Sequence, residues 1–290
     1  MSRYLVTIGT FDGVHRGHQR LMRWVLSRAR RLGLKTRVVL FAAPPRFFLR
    51  PGQALPLLTE PEERARLLLI LGIDRVEILR FGPRWARMEH TRFFEEYLVR
   101  RWRAGGLLVG RDFAFGKGRK GDLDYLRRAC AARQMSLGVL PLLRAGRGKV
   151  SSSRVRELLE AGRVGAAAHL LGRPYSLSGK VERGAGLGRK LGFPTANVAY
   201  PRGLAAPPGV FAARVTGPGL SGRKAAANVG TRPTVSGGRR RLLEVHVPGF
   251  SGGLYGRRLT VEFLRRLRGE RKFPSLDSLK RQIARDIRAL

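Results

Sequence analysis

The chain has 290 residues, of which 43% are hydrophobic; this fraction suffices for packed cores and is too high for a disordered polycation. At roughly 100–200 residues per domain, the length predicts two domains. The longest unbroken aliphatic run covers only residues 67–71, far short of the ~20 apolar residues of a membrane helix. Cys130 is the single cysteine, which excludes an internal disulfide and a cysteine-based metal cluster. No secretory signal pattern opens the chain, so we expect a cytoplasmic protein without a membrane partner.

The formal net charge is +38, from 58 Lys and Arg residues against 20 acidic ones. Such a charge is typical of nucleic-acid-binding proteins, and that function stays an alternative. The basic residues are spread over the whole chain, however, and no nucleic-acid motif accompanies them. We therefore expect no specific nucleic-acid partner, but a general attraction for phosphorylated small molecules. Weak self-association is left open.

The first part of the chain alternates apolar runs of strand type and helix type. The predicted strands cover residues 4–8, 36–41, 76–79, 107–109 and 137–140. Apolar residues at helical spacing predict helices over residues 21–32, 59–71, 93–98 and 123–133. Thr59 stands three residues before Glu62, which predicts a capping box at the second of these helices. Alternation of this kind predicts a Rossmann-like α/β domain with a parallel sheet covered on both faces.

The sequence pattern changes from alternating strand and helix runs to short strand-like runs between Gly172 and Ser176. We place the domain boundary there, between residues 1–172 and residues 173–290. Short strand-like runs broken by Gly and Pro follow, over residues 179–181, 209–215, 224–229, 242–247 and 259–263. Their spacing predicts a small antiparallel β-barrel. The chain ends in a predicted amphipathic helix, with Leu276, Leu279, Ile283 and Ile287 on one face.

The first motif with chemical potential covers residues 9–18, Gly-Thr-Phe-Asp-Gly-Val-His-Arg-Gly-His, between a predicted strand and a predicted helix. A helix start offers free backbone N–H groups and the positive end of the helix dipole to an anion. His15 and His18 stand there three residues apart, and imidazole groups can donate hydrogen bonds to phosphate oxygens. We favour a phosphate site over a glycine-rich turn with two incidental histidines.

Two further segments of the first part carry polar groups. Ser151, Ser152 and Ser153 precede Arg154 and Arg156 at a predicted helix start, where hydroxyls cap the helix or hold a polyphosphate. Residues 110–116, Gly-Arg-Asp-Phe-Ala-Phe-Gly, follow a predicted strand, the usual ligand position in open parallel sheets. The three glycines of residues 116–121 satisfy a dinucleotide pattern, but the strand ends several residues too early and residues 125–156 contain no acidic residue to hold a ribose, so we reject that interpretation.

The most specific motif lies in the second part, over residues 184–197, and combines a glycine-rich loop of residues 184–192 with Phe-Pro-Thr-Ala-Asn. A glycine-rich loop can wrap phosphates with its backbone N–H groups. Thr195 and Asn197 place two neutral oxygens on the same side of an extended segment, which suits Mg²⁺ carrying substrate phosphates. Glu244 lies within a strand-like run; it is either an exposed charge or a base that faces the phosphate loop.

Taken in order, these motifs resemble those of the bifunctional prokaryotic riboflavin kinase/FMN adenylyltransferase family, also called FAD synthetases. Residues 9–18 resemble the family's nucleotidyltransferase signature, and residues 109–116 and 150–156 resemble its two later adenylylation motifs. Residues 188–197 resemble its kinase motif. Four further segments resemble the rest of the kinase module: residues 228–234, 244–246, 254–256 and 268–273.

The resemblance implies two transfers, with ATP as cosubstrate and Mg²⁺ as cofactor. Residues 173–290 would transfer the γ-phosphoryl group of ATP to riboflavin and form FMN. Residues 1–172 would join FMN to the adenylyl group of a second ATP, forming FAD and releasing pyrophosphate. By the same resemblance, His15, His18 and Glu244 are catalytic residues.

The binding residues implied by the resemblance fall into three groups. Those implied to bind ATP and its phosphates are Gly9, Phe11, Asp12, Gly17, Ser152, Ser153, Arg156, Gly184, Gly188, Arg189, Pro194, Thr195 and Asn197. Asp112 and Phe113 are implied to bind the flavin, with Asp112 placing either FMN or the metal. Thr195 and Asn197 are the implied metal ligands.

One departure from the family pattern concerns residues 41–46, which read Phe-Ala-Ala-Pro-Pro-Arg where the family usually carries a Phe-Asp-Pro-His-Pro-like segment. The acid and the histidine are absent, so adenylylation is expected to be slower unless Arg46 or Arg50 substitutes. An enzyme with only its kinase active, and the first domain a relic, is therefore the main alternative. A basic nucleic-acid-binding protein is the second.

Overall fold

The computed structural model describes residues 3–140, 150–184, 186–233 and 239–290. The chain divides into two compact units, Met1–Ser151 and Ser152–Leu290. The domain boundary predicted at Gly172 lies further along the chain and stays a prediction. Among the described residues, no helix combines the length and the apolar character that spanning a membrane requires.

The first unit is built on a five-stranded parallel sheet in the order β3-β2-β1-β4-β5. Its strands are β1 (Tyr4–Gly9), β2 (Lys35–Phe41), β3 (Arg75–Leu79), β4 (Ala104–Gly110) and β5 (Ser136–Leu140). Alternate side chains of β1 enter opposite cores, since Val6 belongs to one apolar cluster and Leu5 to the other. The predicted α/β fold with a sheet covered on both faces is confirmed.

The helices of the first unit are α1 (Arg16–Arg31), α2 (Pro45–Leu49), α3 (Pro61–Ile70), α4 (Pro83–Ala86), α5 (His90–Arg92), a π-helix (Phe93–Arg101) and α6 (Leu123–Ala132). Short 3₁₀ turns cover Asp12–Val14, Pro51–Gln53 and Lys117–Arg119. The capping box predicted at Thr59 is wrong: Glu60 is the N-cap of α3 and no side chain caps this helix. The Thr59 hydroxyl instead accepts a hydrogen bond from the Gly13 N–H, at 3.1 Å, because the turn after β1 packs against it.

The second unit is a closed six-stranded antiparallel barrel in the order β10-β7-β6-β11-β8-β9. Its strands are β6 (Tyr175–Glu182), β7 (Ala196–Ala199), β8 (Gly209–Gly217), β9 (Leu220–Pro233), β10 (Arg239–His246) and β11 (Arg258–Arg268). Its helices are α7 (Ser152–Glu160), α8 (Val164–Leu171), α9 (Leu187–Lys190) and the terminal α10 (Leu276–Arg288). The predicted barrel with a terminal helix is confirmed, and β7 is an additional strand that closes it.

Helices α7 and α8 pack with the barrel. The Arg241 guanidinium on β10 binds both carboxylate oxygens of Glu160 on α7 and the carbonyl oxygen of Ala206. This guanidinium also holds the pKa of the Glu160 carboxyl below its usual value. Apolar residues of α8 are buried where this helix meets β6 and β11. These contacts explain why the second compact unit begins at Ser152.

Candidate active sites

The histidine motif forms a sharp turn between β1 and α1 in the first unit. The strand ends at Gly9, and Phe11 and Val14 then adopt left-handed backbone with φ of 48° and 41°. Left-handed backbone is rare for bulky and β-branched residues, so the surrounding structure must hold this turn in place. Gly17 lies in the first turn of the helix, between the two histidines. The turn brings His15 and His18 together at the start of α1.

The two imidazole rings stack face to face, with centroids 3.7 Å apart. The Nδ1 atom of His15 accepts the backbone N–H of His18 at 3.3 Å, so in the neutral ring the proton is on Nε2. Burial lowers the pKa of His15 to about 4. Burial, followed by the charges of His15 and Arg64, also lowers the pKa of His18 well below its usual value. Both rings are therefore neutral at pH 7 and offer one N–H donor each.

Asp12 is buried within the same turn, where its carboxylate accepts hydrogen bonds from the backbone. The N–H of Leu58 lies 2.9 Å from Oδ1, and the N–H of Thr59 lies 3.3 Å from the same oxygen. These bonds attach the histidine turn to the segment that precedes α3. Asp12 thus has a clear structural role, and its implied contact with ATP phosphates stays a prediction.

A cavity of about 490 Å³ opens in the first unit between the end of β2, α4, the π-helix and the loop after β4. Aromatic side chains dominate its wall: Phe41, Phe81, Trp85, Phe93, Phe113 and Phe115. Arg46 and Arg119 also line the cavity and supply positive charge. A large apolar wall with a few charged groups suits a planar, partly apolar ligand that carries a phosphate.

The other predicted residues of the first reaction lie in different surroundings. Phe113 is in the wall of this aromatic cavity, whereas Asp112 is exposed and its carbonyl oxygen accepts a hydrogen bond from Arg119 at 3.0 Å. Ser152 and Ser153 are the first two residues of α7, and Arg156 follows in the same helix, all in the second compact unit. The phosphate-binding role implied for these three residues stays a prediction.

Strand register builds the second site on the outer face of the barrel. Glu244 of β10 lies opposite Asn197 of β7 and opposite Asn228 of β9. Because directly opposite residues share a face, all three polar side chains point the same way. The adjacent residues Val245 and Val198 are buried on the other face. The Asn228 amide nitrogen lies 3.5 Å from Glu244 Oε2, and the prediction that Val245 occupies the opposite face is confirmed.

Two glycines of the loop before β7 allow close approach to this polar row. A side chain at Gly184 would place its Cβ 2.1 Å from the amide nitrogen of Asn197. A Cβ at Gly188 would lie 2.4 Å from the carbonyl oxygen of Phe193 and 3.1 Å from the Thr195 hydroxyl. Only glycine fits at these two positions without displacing the neighbouring groups. Ala185, which belongs to the same motif, lies outside the described residues.

Two cavities of about 310 Å³ and about 210 Å³ share Thr195 as a lining residue. The first combines the polar row of Asn197, Asn228 and Glu244 with the apolar residues Phe273, Leu279 and Ile283. The second is lined by Arg189, Pro194, Phe250 and Tyr255, among others. Thr195 therefore lies at the junction of the two cavities.

Terminal helix α10 covers the first of these cavities and is held by a charged network. Arg268 of β11 forms an ion pair with the buried Asp286 of α10 at 2.9 Å. Gln282 donates a further hydrogen bond to the same carboxylate at 2.8 Å and accepts one from Arg271. The guanidinium groups of Arg268 and Arg271 both lie over the Phe273 ring, 5.5 Å and 4.7 Å from its centroid.

The described residues contain no group of three or more His, Cys, Asp or Glu side chains able to hold a metal ion by themselves. Mg²⁺ does not need one, because it is commonly held by one or two protein oxygens together with substrate phosphates and water. The Thr195 hydroxyl and the Asn197 amide oxygen fit that requirement. They line one cavity, next to two glycines at which a side chain would collide with them.

Comparison with known proteins gives the same assignment for both units. The FAD synthetase family model matches residues 1–154, and the riboflavin kinase family model matches residues 171–290. The "Bifunctional riboflavin kinase/FMN adenylyltransferase" of Escherichia coli strain K12 is 40% identical over 282 residues, covering 97% of this chain and 90% of that protein. The chain belongs to this family. The family and the enzyme class predicted from the sequence are thereby confirmed.

Other similar proteins cover the chain almost completely. The protein of the same name from Pseudomonas fluorescens is 40% identical over 285 residues, covering 98% of this chain and 91% of that protein. A crystal structure described as a macrolide-efflux protein from Streptococcus pneumoniae is 30% identical, with a TM-score of 0.85. It covers 99% of this chain and 93% of that chain, so both compact units have counterparts in it.

Sequence reasoning did not assign three residues that the structure places at the second site. Asn228 completes the polar row, and Glu270 approaches Gly230 so closely that a Cβ there would lie 2.5 Å from its carboxylate. His246 binds the carbonyl oxygen of Pro194 at 2.8 Å through Nδ1. All three fall in segments whose sequence resembles the kinase module, over residues 228–234, 244–246 and 268–273. Their relation to Glu244 depends on the register between strands, which no single strand reveals.

Proposed function

We propose that riboflavin is phosphorylated on the outer face of the barrel, where Glu244 lies between Asn197 and Asn228. This row of one carboxylate and two amides is the observation that carries the proposal. Glu244 removes the proton of the ribityl hydroxyl, and the freed oxygen attacks the γ-phosphorus of ATP. The bond between that phosphorus and the β,γ-bridging oxygen breaks, and ADP leaves with the electron pair. The products are FMN and ADP.

The two cavities that meet at Thr195 suit the two substrates of this step. Phe273, Leu279 and Ile283 offer apolar surface to the flavin ring in the larger cavity, which also contains Glu244. Arg189 supplies positive charge to the smaller cavity, and Tyr255 offers an exposed ring against which a base can stack. Phosphoryl transfer depends mainly on such positioning and on charge neutralisation.

Thr195 and Asn197 would hold Mg²⁺ through their side-chain oxygens. The ion would neutralise charge on the ATP phosphates. The residues themselves orient the phosphate chain at the junction of the two cavities. Gly184 and Gly188 keep both side chains in place, because they leave room where any larger residue would displace them.

We further propose that FMN is adenylylated at the histidine turn of the first unit. A phosphate oxygen of FMN attacks the α-phosphorus of ATP, the α,β-bridging P–O bond breaks, and pyrophosphate leaves. No general base is required, since the attacking phosphate is already ionised. His15 and His18 donate N–H hydrogen bonds to the charge that develops on the α-phosphate. The aromatic cavity, which includes Phe113, takes the flavin ring of FMN.

Arg46 is a candidate to replace the acid and the histidine that residues 41–46 lack. Arg46 and Arg50 are both exposed, but Arg46 lines the aromatic cavity and Arg50 does not. A positive side chain is therefore available on this segment to bind the FMN phosphate. This position supports an active adenylyltransferase over the alternative of a relic domain with only the kinase working.

A turnover assay tests both steps. The full chain is incubated with riboflavin, ATP and Mg²⁺, and FMN and FAD are separated by chromatography; we expect both products. FMN without FAD would favour the relic alternative. Strongly salt-dependent retention on DNA without any flavin turnover would favour the nucleic-acid-binding alternative.

Two variants separate the sites. Asn197→Ala should abolish FMN formation from riboflavin and spare the adenylylation of supplied FMN, because the residue lies only in the barrel site. His18→Ala should have the opposite effect, with a fall in FAD formation of about 100-fold or more, the scale of losing one oxyanion donor. Equal losses in both reactions for either variant would contradict separate sites.

A further inference from the structure

Arg64 of α3 is a buried cation that the two reaction steps leave without a role. Its side chain is 0% exposed, although arginine is rarely buried in full. Burial lowers the pKa of its guanidinium, but a group of this basicity stays charged at neutral pH. The nearby charges of Asp12 and Glu62 oppose that shift. A buried charge of this kind requires a structural or functional reason.

The guanidinium binds three backbone carbonyls from two strand ends. Nη1 donates to the carbonyl oxygen of Thr10 at 2.7 Å and to that of Phe41 at 3.1 Å. Nη2 donates to the carbonyl oxygen of Ala42. Hydrogen bonds from a charged donor are stronger than neutral ones, and the planar guanidinium fixes their relative directions. Arg64 therefore joins the end of β1 rigidly to the end of β2.

These two strand ends lead to different parts of the candidate adenylylation site. Thr10 immediately precedes Phe11, where the histidine turn begins. Phe41 lines the aromatic cavity, and so do Pro44, Pro45 and Arg46 a few residues further along the chain. Both features belong to the first compact unit. A shift of one strand end against the other would change the distance from the histidine N–H donors to the cavity.

We propose that Arg64 is a positioning residue for FMN adenylylation, which sets the separation between the histidine turn and the flavin cavity. The inference rests on the proposed assignment of FMN to that cavity. Arg64 acts through the backbone carbonyls and does not touch the substrates. Its positive charge also disfavours protonation of His18, so the imidazole stays a neutral donor.

The test uses the full chain with Arg64→Met, Arg64→Lys and the matched control Arg66→Met, since Arg66 lies on the same helix with its side chain exposed. We expect Arg64→Met to lower kcat for FAD formation about 100-fold, the scale of a misplaced reactive group, while KM for FMN and ATP stays within about threefold. Arg64→Lys keeps the charge and three donors, so its kcat should lie between those of the wild type and Arg64→Met. Riboflavin phosphorylation in the same chain should be unchanged.

Chemical rescue with free guanidinium distinguishes a positioning role of Arg64 from a merely structural one. Millimolar guanidinium chloride should raise kcat for FAD formation by Arg64→Ala severalfold, whereas sodium chloride at equal concentration should not. The inference is overturned if Arg64→Met keeps the wild-type kcat, if KM rises at constant kcat, or if Arg66→Met loses as much.

Two further outcomes are decisive. If Arg64→Met or Arg64→Ala does not fold, which the tryptophan fluorescence of the first unit reports, Arg64→Lys decides alone. A lowered kcat at unchanged KM supports the inference, and an unchanged kcat or a raised KM overturns it. If the wild type makes no FAD, the proposed adenylylation itself fails, and this result is distinct from failure of the role of Arg64.

Discussion

The two proposed reaction sites are built in opposite ways. In the first unit, ten consecutive residues supply a strand end, a strained turn and both histidines at a helix start. In the barrel, the polar row comes from three separate strands, β7, β9 and β10, whose register places the three residues side by side. A contiguous motif is positioned by local backbone geometry, whereas a distributed one depends on the closure of the whole barrel. Changes far from the barrel site should therefore affect it more readily.

The two proposed sites also differ in the kind of group that would act on the substrate: neutral hydrogen-bond donors in the first unit and a carboxylate in the barrel. Burial keeps His15 and His18 neutral, which suits donation of hydrogen bonds to an anion whose nucleophile needs no activation. Glu244 is half-buried and lies next to the Asn228 amide, and we propose that it takes the proton of the substrate hydroxyl. Only the barrel reaction needs a base, because a hydroxyl is a poor nucleophile until its proton is removed.

The largest expected effect comes from Glu244→Gln. The amide has the same shape but cannot accept the hydroxyl proton, so kcat for FMN formation should fall about 1000-fold, within the usual range for a general base. Adenylylation of supplied FMN should remain at the wild-type rate. Glu262→Gln is the control, because Glu262 lies on the barrel in an ion pair with Arg214 at 2.6 Å. A kinase rate within tenfold (about 1.4 kcal/mol) of wild type would remove Glu244 as the base.

The buried histidine should make the stability of the first unit depend on pH. The pKa of His15 is about 4 in the folded protein and about 6.5 in an unfolded chain, so the unfolded state binds the proton first as pH falls. Stability is complete above pH 6.5 and decreases towards pH 4, by about 3 kcal/mol if the whole shift is realised. His15→Asn keeps an N-cap but does not titrate, so its stability should decrease less over that range.

Tryptophan fluorescence during urea unfolding measures this difference selectively. All three tryptophans, Trp24, Trp85 and Trp102, lie in the first unit, so the signal reports on that unit alone. Parallel stability curves for the wild type and His15→Asn between pH 7 and pH 4 would contradict a depressed pKa of His15.

A single methyl group tests whether the glycine-rich loop positions the polar row. In Gly184→Ala the added Cβ would collide with the side chain of Asn197, so kcat for FMN formation should fall on the order of tenfold while FAD formation from FMN is spared. Gly165→Ala is the matched control, because nothing lies within 4 Å of the corresponding Cβ position. Equal kinase rates in both variants would show that the loop tolerates displacement of Asn197.

The smallest effect concerns the segment that departs from the family pattern. Arg46→Ala should lower the rate of FAD formation about fivefold, the scale of one exposed ionic contact of about 1 kcal/mol. Arg50→Ala should have no effect, because Arg50 does not line the aromatic cavity. If Arg46→Ala leaves FAD formation untouched, the idea that Arg46 substitutes for the missing histidine fails.

Much of the fold could be predicted from the sequence, because strands and helices of the first unit follow strong apolar periodicities. The capping box at Thr59 was predicted wrongly, since the hydroxyl has a tertiary partner in Gly13 that local sequence does not reveal. Strand β7 escaped prediction because its four residues directly follow the Phe-Pro-Thr segment and carry only a short apolar alternation.

The sites show the same limit. His15 and His18 could be predicted as candidates because the motif is contiguous, and the structure does bring the two rings together. Glu244 was identified as a candidate base, but its facing partner Asn228 was not, because their pairing depends on the register of β9 and β10. The buried Arg64 gave no signal, since a single arginine in a chain with 58 basic residues looks like any other.

The packing of α7 and α8 has a practical consequence for dissecting the enzyme by truncation. Val164, Ala167 and Leu171 are buried in α8, and Glu160 is bound to Arg241 of the barrel. A gene fragment that starts at residue 173 would therefore encode a barrel with an exposed apolar surface, and Arg241 would lose its carboxylate partner. A fragment that starts at residue 150 keeps α7 and α8 on the barrel, so the riboflavin kinase part is best expressed together with both helices.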